Sequence, residues 1–293
     1  MSRWILLILT IISCIGCRSA AYYQDYAHLR IAREMPHPRM RESAYFVVFL
    51  VEARHLDYTS NRALLQSLVK HPSDGSKNSD VGHAWICLQG HENGCFVNLE
   101  GGQSGELGLN QPKYFEGLID YFEAGSCNPI QYLWACQKDG YFEEGAGGHY
   151  PTYAAKVDLT EEQYRKIVNF ISKYDYSHYY LTHHQCTTFV TQIAELAGLQ
   201  LDHYVTISID PVLHICGDCL PLWKDPQYAS FTFSSPDILE RSLMEAVWCG
   251  EAEFALDWYR ITHPKCFEER CADAFKTLKC FPYRFSRYFY FNQ

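Results

Sequence analysis

Residues 183–199 read HHQCTTFVTQIAELAGL. After Cys186 the apolar side chains recur at helical spacing until Gly198, a residue type that commonly ends a helix. The pattern therefore predicts a helix that begins at Cys186. The N–H groups and the dipole of a helix start stabilise an anion, so this position favours the thiolate form of a cysteine and can hold an oxyanion. A cysteine beside apolar residues can equally be a small core side chain, which is the alternative interpretation.

A cysteine nucleophile needs a base within hydrogen-bond reach and a polar group that orients the base. Residues 83–89 and 95–100 are predicted to be the two strands of a β-hairpin, joined by the turn-forming stretch GHENG. If the turn centres on residues 91–92, His83 and Glu100 lie opposite each other with their side chains on one face. A turn at Asn93-Gly94 would shift this register. We therefore predict that His83 is the base and that Glu100 orients it.

Three of these features together resemble a known family. GHAWI on a strand, an acid at the end of the next strand and a helix that starts with CTTFV are similar to the circularly permuted branch of the NlpC-like papain superfamily. That branch includes lecithin:retinol acyltransferase and related bacterial proteins. In it the histidine strand precedes the cysteine helix, as it does here, whereas papain has the reverse order. The resemblance covers residues 44–201.

The resemblance implies a role for each of the three residues. Cys186 matches the family's nucleophile, His83 its base and Glu100 its third polar residue. The family usually has asparagine directly before the nucleophile, where this chain has Gln185. Asp80 is the reserve candidate for the orienting group.

The predicted fold class is α+β, of the permuted papain-like (NlpC-like) kind, with a small antiparallel sheet packed on the helix of Cys186. Residues 44–210 are predicted to form this domain, and residues 211–293 a cysteine- and aromatic-rich C-terminal extension. Further predicted elements are strands at 44–53, 131–136 and 152–157, and helices at 61–70, after Thr160 with Gln163 as its capping-box partner, and after Ser235 with Pro236 in its first turn.

The N-terminus has the layout of a secretory signal. A single cation precedes an apolar run at residues 4–12, which is too short to span a bilayer as a permanent helix. Residues 1–17 are therefore predicted to be a signal peptide with a lipoprotein-type cleavage site, with Cys17, or alternatively Cys14, as the lipidated residue and palmitate as an expected acyl chain. Residues 18–43 would form a tether. The expected location is the bacterial cell envelope, at the periplasm or an outer-membrane face.

Charge and cysteine content restrict the class of protein. A formal net charge of −9 provides no basic surface for phosphates, so nucleic acid is excluded as the expected partner. Thirteen cysteines are many for 293 residues, and outside the cytosol they can form disulfides. Without the two in the predicted signal the number is odd, so at least one thiol stays free, as a nucleophile requires.

The stretch CGDC contains the second notable cysteine pair, Cys216 and Cys219. It lacks the βαβ setting of a thioredoxin motif, and a local disulfide is the favoured interpretation. A zinc site that combines His214 with Cys266 or Cys271 matches no recognised ligand spacing, so neither a metal nor another cofactor is expected.

Together these features predict an envelope-associated thiol hydrolase or acyltransferase. It would act on an amide or ester of a cell-wall peptide or a lipid, through a covalent acyl-enzyme at a Cys-His-acid site. Two alternatives stay open: a non-catalytic envelope binding protein on the same fold, and a thiol-disulfide protein that uses Cys216 and Cys219.

Overall fold

The computed structural model describes residues 43–60, 63–64, 82–92, 95–105, 131–134, 140–210, 212–215, 218–221 and 225–264. The predicted signal peptide, nearly all of the predicted tether, Asp80 and most of the predicted helix at 61–70 lie outside these ranges. No helix within them has both the length and the apolar character needed to cross a bilayer.

The described strands form one large sheet and two small ones, all with antiparallel pairing. The strands are β1 (Phe46–Ala53), β2 (Gly82–Glu92), β3 (Cys95–Ser104), β4 (Tyr141–Glu144), β5 (Tyr153–Asp158), β6 (Tyr204–Ser208), β7 (Val212–Ile215), β8 (Asp218–Pro221), β9 (Ser230–Ser234) and β10 (Glu253–Phe254). The large sheet has the spatial order β10, β5, β1, β2, β3, β4, while β6 pairs with β9 and β7 with β8. The α+β class with a mainly antiparallel sheet is thus confirmed.

Four α-helices are described, together with 3-10 helices at Gln131–Trp134 and Pro226–Tyr228. The α-helices are α1 (Glu161–Lys173), α2 (Cys186–Ala197), α3 (Pro236–Cys249) and α4 (Leu256–Thr262).

Alternation along the strands divides the core into two layers. On β2, the side chains of Ala84, Ile86 and Leu88 pack in the cluster that contains the buried residues of α1, α2 and α3. The side chains between them, Trp85 and Cys87, pack in a second cluster with α4. We call these two sides of the sheet the three-helix face and the α4 face.

The helix boundaries follow the predicted capping residues. Thr160 and Gln163 form the capping box of α1, with each side chain bonded to the backbone N–H of the other. Ser235 caps α3, which has proline at its first position. At the other end of α2, Gly198 adopts a left-handed conformation with φ of 87° and closes the helix.

The predicted register of the hairpin is wrong. The last pair of the β2–β3 ladder is Glu92 with Cys95, so the connection consists of Asn93 and Gly94 rather than residues 91–92. Asn-Gly is a preferred two-residue hairpin connection, which accounts for the shift. Glu100 consequently lies opposite Cys87. Cys87 is four positions from His83 on β2, which corresponds to about 13 Å along the strand at ~3.3 Å per residue.

Residues on both sides of the predicted boundary at 210 contribute to one core. Leu239, Leu243 and Ala246 of α3 belong to the cluster on the three-helix face, and β10 extends the large sheet beside β5. The predicted extension therefore supplies a helix and a strand to the same core as the predicted catalytic domain.

The strand predicted at residues 131–136 is a 3-10 helix over Gln131–Trp134. Trp134 packs edge-on against Tyr228 and Phe231, with ring centroids 5.0 and 4.8 Å apart. A short apolar run fits more than one backbone state, and tertiary contacts decide between them.

One buried carboxylate joins the end of β1 to the start of α3. Asp237 accepts backbone hydrogen bonds from Arg54, His55 and Leu56 at 2.7, 2.8 and 2.7 Å. The Tyr58 hydroxyl donates to the same carboxylate at 2.8 Å. Buried backbone N–H groups must find partners, and here a single side chain supplies partners for three consecutive ones.

We expect Asp237→Asn to lower the free energy of unfolding by about 2–4 kcal/mol. The substitution keeps the size of the side chain but turns an amide NH2 group toward groups that are themselves donors. Urea denaturation at pH 7 measures the change. Asp257→Asn, an exposed acid in the first turn of α4, is the matched control and should change stability by less than about 0.5 kcal/mol. Equal small losses in the two variants would contradict the stabilising role of Asp237.

Candidate functional site

Cys186 is the first residue of α2 and is only 2% exposed. The side-chain oxygen of Gln185 accepts the Thr187 N–H at 3.2 Å and the Cys186 thiol at 3.1 Å. The backbone N–H of Gln185 in turn donates to the Thr188 hydroxyl at 2.8 Å. Glutamine thus caps this helix in place of the usual Ser, Thr, Asp or Asn, and it fixes the thiol at the positive end of the helix dipole.

Next to Cys186 lies a polar network built on Tyr174, the residue that follows α1. The Tyr174 hydroxyl donates to Gln103 Oε1 at 2.7 Å and lies 3.3 Å from Nδ1 of His184. The two rings stack with an interplanar angle of 5°. Burial raises the pKa of Tyr174, against a hydrogen bond with Thr188, and the charges of Tyr176, Cys186 and Asp175 raise it further. Tyr174 is therefore a neutral hydroxyl at neutral pH.

The tautomer of His184 follows from its second contact. Its Nε2 lies 2.7 Å from the Asp175 carbonyl oxygen, which can only accept a hydrogen bond. Nε2 therefore carries the proton, and in the neutral ring Nδ1 is the nitrogen with the lone pair. Nδ1 lies 3.3 Å from the Tyr174 hydroxyl across the stack, whereas its lone pair lies in the plane of the imidazole ring.

The starts of α2, α3 and β2 meet at one end of the large sheet. The side-chain amide of Gln185 donates to the Ser234 carbonyl, directly before the cap of α3. Gly82, the first residue of β2, faces the start of α3, since a Cβ placed there would lie 3.3 Å from Cβ of Pro236. Cys186 and His83 are thus located at the same end of the sheet.

His83 belongs to a buried cluster of histidines and glutamates. Its ring stacks on His149 at 4.4 Å between centroids and on Trp85 at 5.8 Å. Nδ1 of His149 donates to Oε2 of Glu52 at 2.7 Å. One nitrogen of each histidine and one carboxylate oxygen of Glu143 lie within 4.8 Å of one another. All four titratable side chains are less than 9% exposed.

A glycine-rich turn holds this cluster together. The turn follows β4, includes Gly145 and Gly147, both with positive φ, and ends at His149. A Cβ at Gly147 would lie 2.2–2.5 Å from the carboxylate of Glu143, so only glycine leaves room for that carboxylate. The loop therefore brings His149 and Glu143 together through a close approach that a side chain at 147 would prevent.

Glu100 belongs to another group of polar side chains on the α4 face. It accepts hydrogen bonds from Tyr259 at 2.6 Å and Trp85 at 3.2 Å, and it pairs with His263 at 3.2 Å. Burial alone would raise the pKa of Glu100, but these hydrogen bonds and the charge of His263 lower it. The hydrogen bond to Glu100 raises the pKa of His263, against the opposing effect of burial. Burial and the nearby charge of Glu100 raise the pKa of the Cys87 thiol to about 12.

The structure therefore places the three predicted site residues in three settings. Cys186 begins a helix on the three-helix face, whereas the ring contacts of His83 are on the α4 face at the same end of the sheet. Glu100 contacts α4 and the residue after it, further along the strands. Sequence analysis missed Glu52, Glu143, His149 and the Tyr174–His184 pair. The glycine-rich stretch GAGG directly before His149 was the one local signal that could have drawn attention to the cluster.

Comparison of the chain with protein-family models, with curated proteins and with solved structures finds no match in any of the three.

The Glu100–His263 pair should make stability depend on pH in a defined window. The lowered pKa of Glu100 contributes stability that is present above its ordinary value of 4.5 and is lost as the pH falls through the folded value. The raised pKa of His263 contributes stability that is present below 6.5 and is lost as the pH rises through the folded value. The pair therefore stabilises the fold most between about pH 4.5 and 6.5.

We expect the stability difference between wild type and His263→Gln to peak in that window and to shrink on either side. Thermal denaturation from pH 3 to pH 9 measures it. His178→Gln is the matched control, since His178 forms a comparable but exposed pair with Asp175 at 2.9 Å. A difference for His263→Gln that does not vary with pH would show that the pair is not charged.

Proposed function

We propose that this protein is a thiol-dependent hydrolase or acyltransferase, with Cys186 as its nucleophile. The position of Cys186 carries the proposal: it is the first residue of a well-capped helix, and its thiol is held by the cap itself. The thiolate attacks an amide or ester carbonyl, the N–H groups of the helix start stabilise the oxyanion, and the amine or alcohol leaves. Water or a second nucleophile then releases the acyl group from the sulfur.

Two histidines compete for the role of base. His83 is the residue that the sequence predicts, and it lies at the correct end of the sheet. His184 is the second candidate, because its Nδ1 lies 3.3 Å from the Tyr174 hydroxyl and the charge of Cys186 acts on Tyr174. In this route the Tyr174 hydroxyl and the Cys186 thiol first turn away from Gln103 and Gln185, and the thiol proton then passes to the Tyr174 oxygen while the Tyr174 proton passes to Nδ1 of His184. Asp175 keeps the imidazole in the required tautomer through its carbonyl oxygen.

The permuted papain-like (NlpC-like) fold and the bacterial envelope location are part of the proposal. The histidine strand precedes the cysteine helix in the chain, and an antiparallel sheet packs on that helix, as the resemblance implies. The N-terminal signal pattern supports an envelope location, where cell-wall peptides and lipids are the available amides and esters. A non-catalytic protein that binds the same ligands is the alternative, and it requires no reactive thiol.

We expect a limiting small electrophile to label Cys186 first in the native, non-reduced protein. The test uses a background in which the exposed free cysteines Cys95 and Cys249 are serine, and peptide mapping by mass spectrometry locates the adduct. Cys87 is the internal control, since it is equally buried but has a raised pKa and no helix start. Cys186 should react at least ten times faster than Cys87 at pH 7. If labelling begins at another cysteine, or if Cys186 is found in a disulfide, the alternative of a non-catalytic binding protein is favoured.

We expect His184→Ala and Tyr174→Phe each to slow alkylation of Cys186 at pH 7 by at least tenfold, because each interrupts the proton route. His83→Ala should leave the rate within about twofold. His183→Ala is the control for a change beside the helix start, since His183 is an exposed neighbour. Slow alkylation in His83→Ala with normal rates in the other variants would return the role of base to His83.

A further inference from the structure

We propose that His83, His149 and Glu143 bind one divalent transition-metal ion, with Zn²⁺ as the best fit, and that Glu52 supports the site from behind His149. The inference goes beyond the proposed thiol chemistry and does not depend on it. It also departs from the sequence-based expectation that the chain binds no metal.

The first argument is the donor set. Two imidazole nitrogens and one carboxylate oxygen are ligands that zinc accepts, and a site with three protein ligands leaves the fourth position open. The three donor atoms lie within 4.8 Å of one another. Tetrahedral coordination at about 2.0–2.1 Å needs donors roughly 3.4 Å apart. The donor atoms must therefore move together by about an ångström, and one of the two stacked imidazole rings must rotate so that both lone pairs point at the ion.

The second argument is the hydrogen bond behind His149. An ionised carboxylate only accepts hydrogen bonds, so the 2.7 Å contact with Glu52 places the proton of His149 on Nδ1. In the neutral ring Nε2 then has the lone pair, as metal coordination requires. A carboxylate that receives the second N–H of a ligating histidine is the usual support of a zinc-bound imidazole.

The third argument is the balance of charge. Glu52 and Glu143 bring two negative charges into a buried site when both are ionised. A single divalent cation carries the charge that balances two carboxylates in such a site.

The experiment uses the full chain, stripped with a chelator and titrated with Co²⁺ as a spectroscopic substitute for Zn²⁺. Thiolates also bind these ions, and the chain has thirteen cysteines. Thiolate-to-cobalt charge-transfer absorption distinguishes such binding from an N/O site. We expect one equivalent of cobalt with d–d bands and without that absorption. Its absence from wild type, or a spectrum with thiolate bands only, overturns the proposal.

Ligand variants test the assignment. His149→Ala and Glu143→Gln should each weaken Co²⁺ binding at least 100-fold, and Glu52→Gln by about 10- to 100-fold. His91→Ala, an exposed histidine of β2, is the matched control and should bind as wild type does. Unchanged affinity in the ligand variants, verified as folded by circular dichroism, contradicts the assignment.

Two glycines provide a test that leaves every ligand in place. Gly145 and Gly147 have φ of 70° and 59°, so alanine introduces similar backbone strain at each. Only at Gly147 does the new methyl group collide with the Glu143 carboxylate, whereas nothing lies within 4 Å at Gly145. Gly147→Ala should weaken Co²⁺ binding at least tenfold relative to Gly145→Ala. Equal affinities in the two variants overturn the proposal.

The result is separable from the thiol proposal. Cys186→Ser should keep full Co²⁺ binding, and the stripped protein should keep the reactivity of Cys186. If ion binding is present and Cys186 is inert, only the proposed function fails. If Cys186 is reactive and no N/O site binds Co²⁺, only the metal site fails. Because metal coordination occupies a nitrogen of His83, the metal site also predicts that the base of Cys186 is another histidine, His184.

Discussion

The carboxylate of Asp237 is the contact on which this end of the molecule depends. The backbone N–H groups of the three residues directly after β1 donate hydrogen bonds to this carboxylate. The middle residue, His55, has a φ of 55°. A non-glycine residue in that conformation needs support from its surroundings. Since Asp237 lies in the first turn of α3, the same contact fixes this helix against the sheet. The start of α2 is then positioned through Gln185 and Ser234.

The alternation of strand side chains then separates two kinds of chemistry. β2 and β3 turn mainly small and apolar residues, together with Gln103, toward the three-helix face, where α2 packs, and His83, Trp85 and Glu100 toward the α4 face. Because the two faces differ by a single position along the strand, the sequence GHAWI is compatible with a histidine on either side. The register of the hairpin does not determine which face the His83 side chain occupies. The helices that pack on each face determine it.

The local elements could be predicted because their signals are local. The Thr160–Gln163 capping box, the Ser235 cap and the Gly198 helix end each lie within four residues of the feature that they determine. The clusters could not be predicted, since Glu52, His83 and the pair of Glu143 and His149 come from three separate segments, namely β1, β2, and β4 with its following turn. The correct hairpin register, by contrast, has a local signal, since Asn93-Gly94 favours a two-residue connection between Glu92 and Cys95.

The helix that begins at Cys186 packs on the three-helix face and the rings of His83 and His149 pack with Trp85 on the α4 face, and the two proposed chemistries require the thiol to stay out of the coordination of the ion. A thiolate is a stronger zinc ligand than a carboxylate, so a thiol within reach of His83 and His149 would compete with Glu143 for the ion and lose its nucleophilicity. Among the described residues, Cys186 is not part of the group of donor atoms that lie within 4.8 Å of one another. It is held instead by the amide oxygen of Gln185, which binds a thiol but is a poor ligand for zinc. Glutamine rather than an acid as the cap of α2 therefore holds the thiol at the helix start without adding a carboxylate that could bind a metal ion beside it.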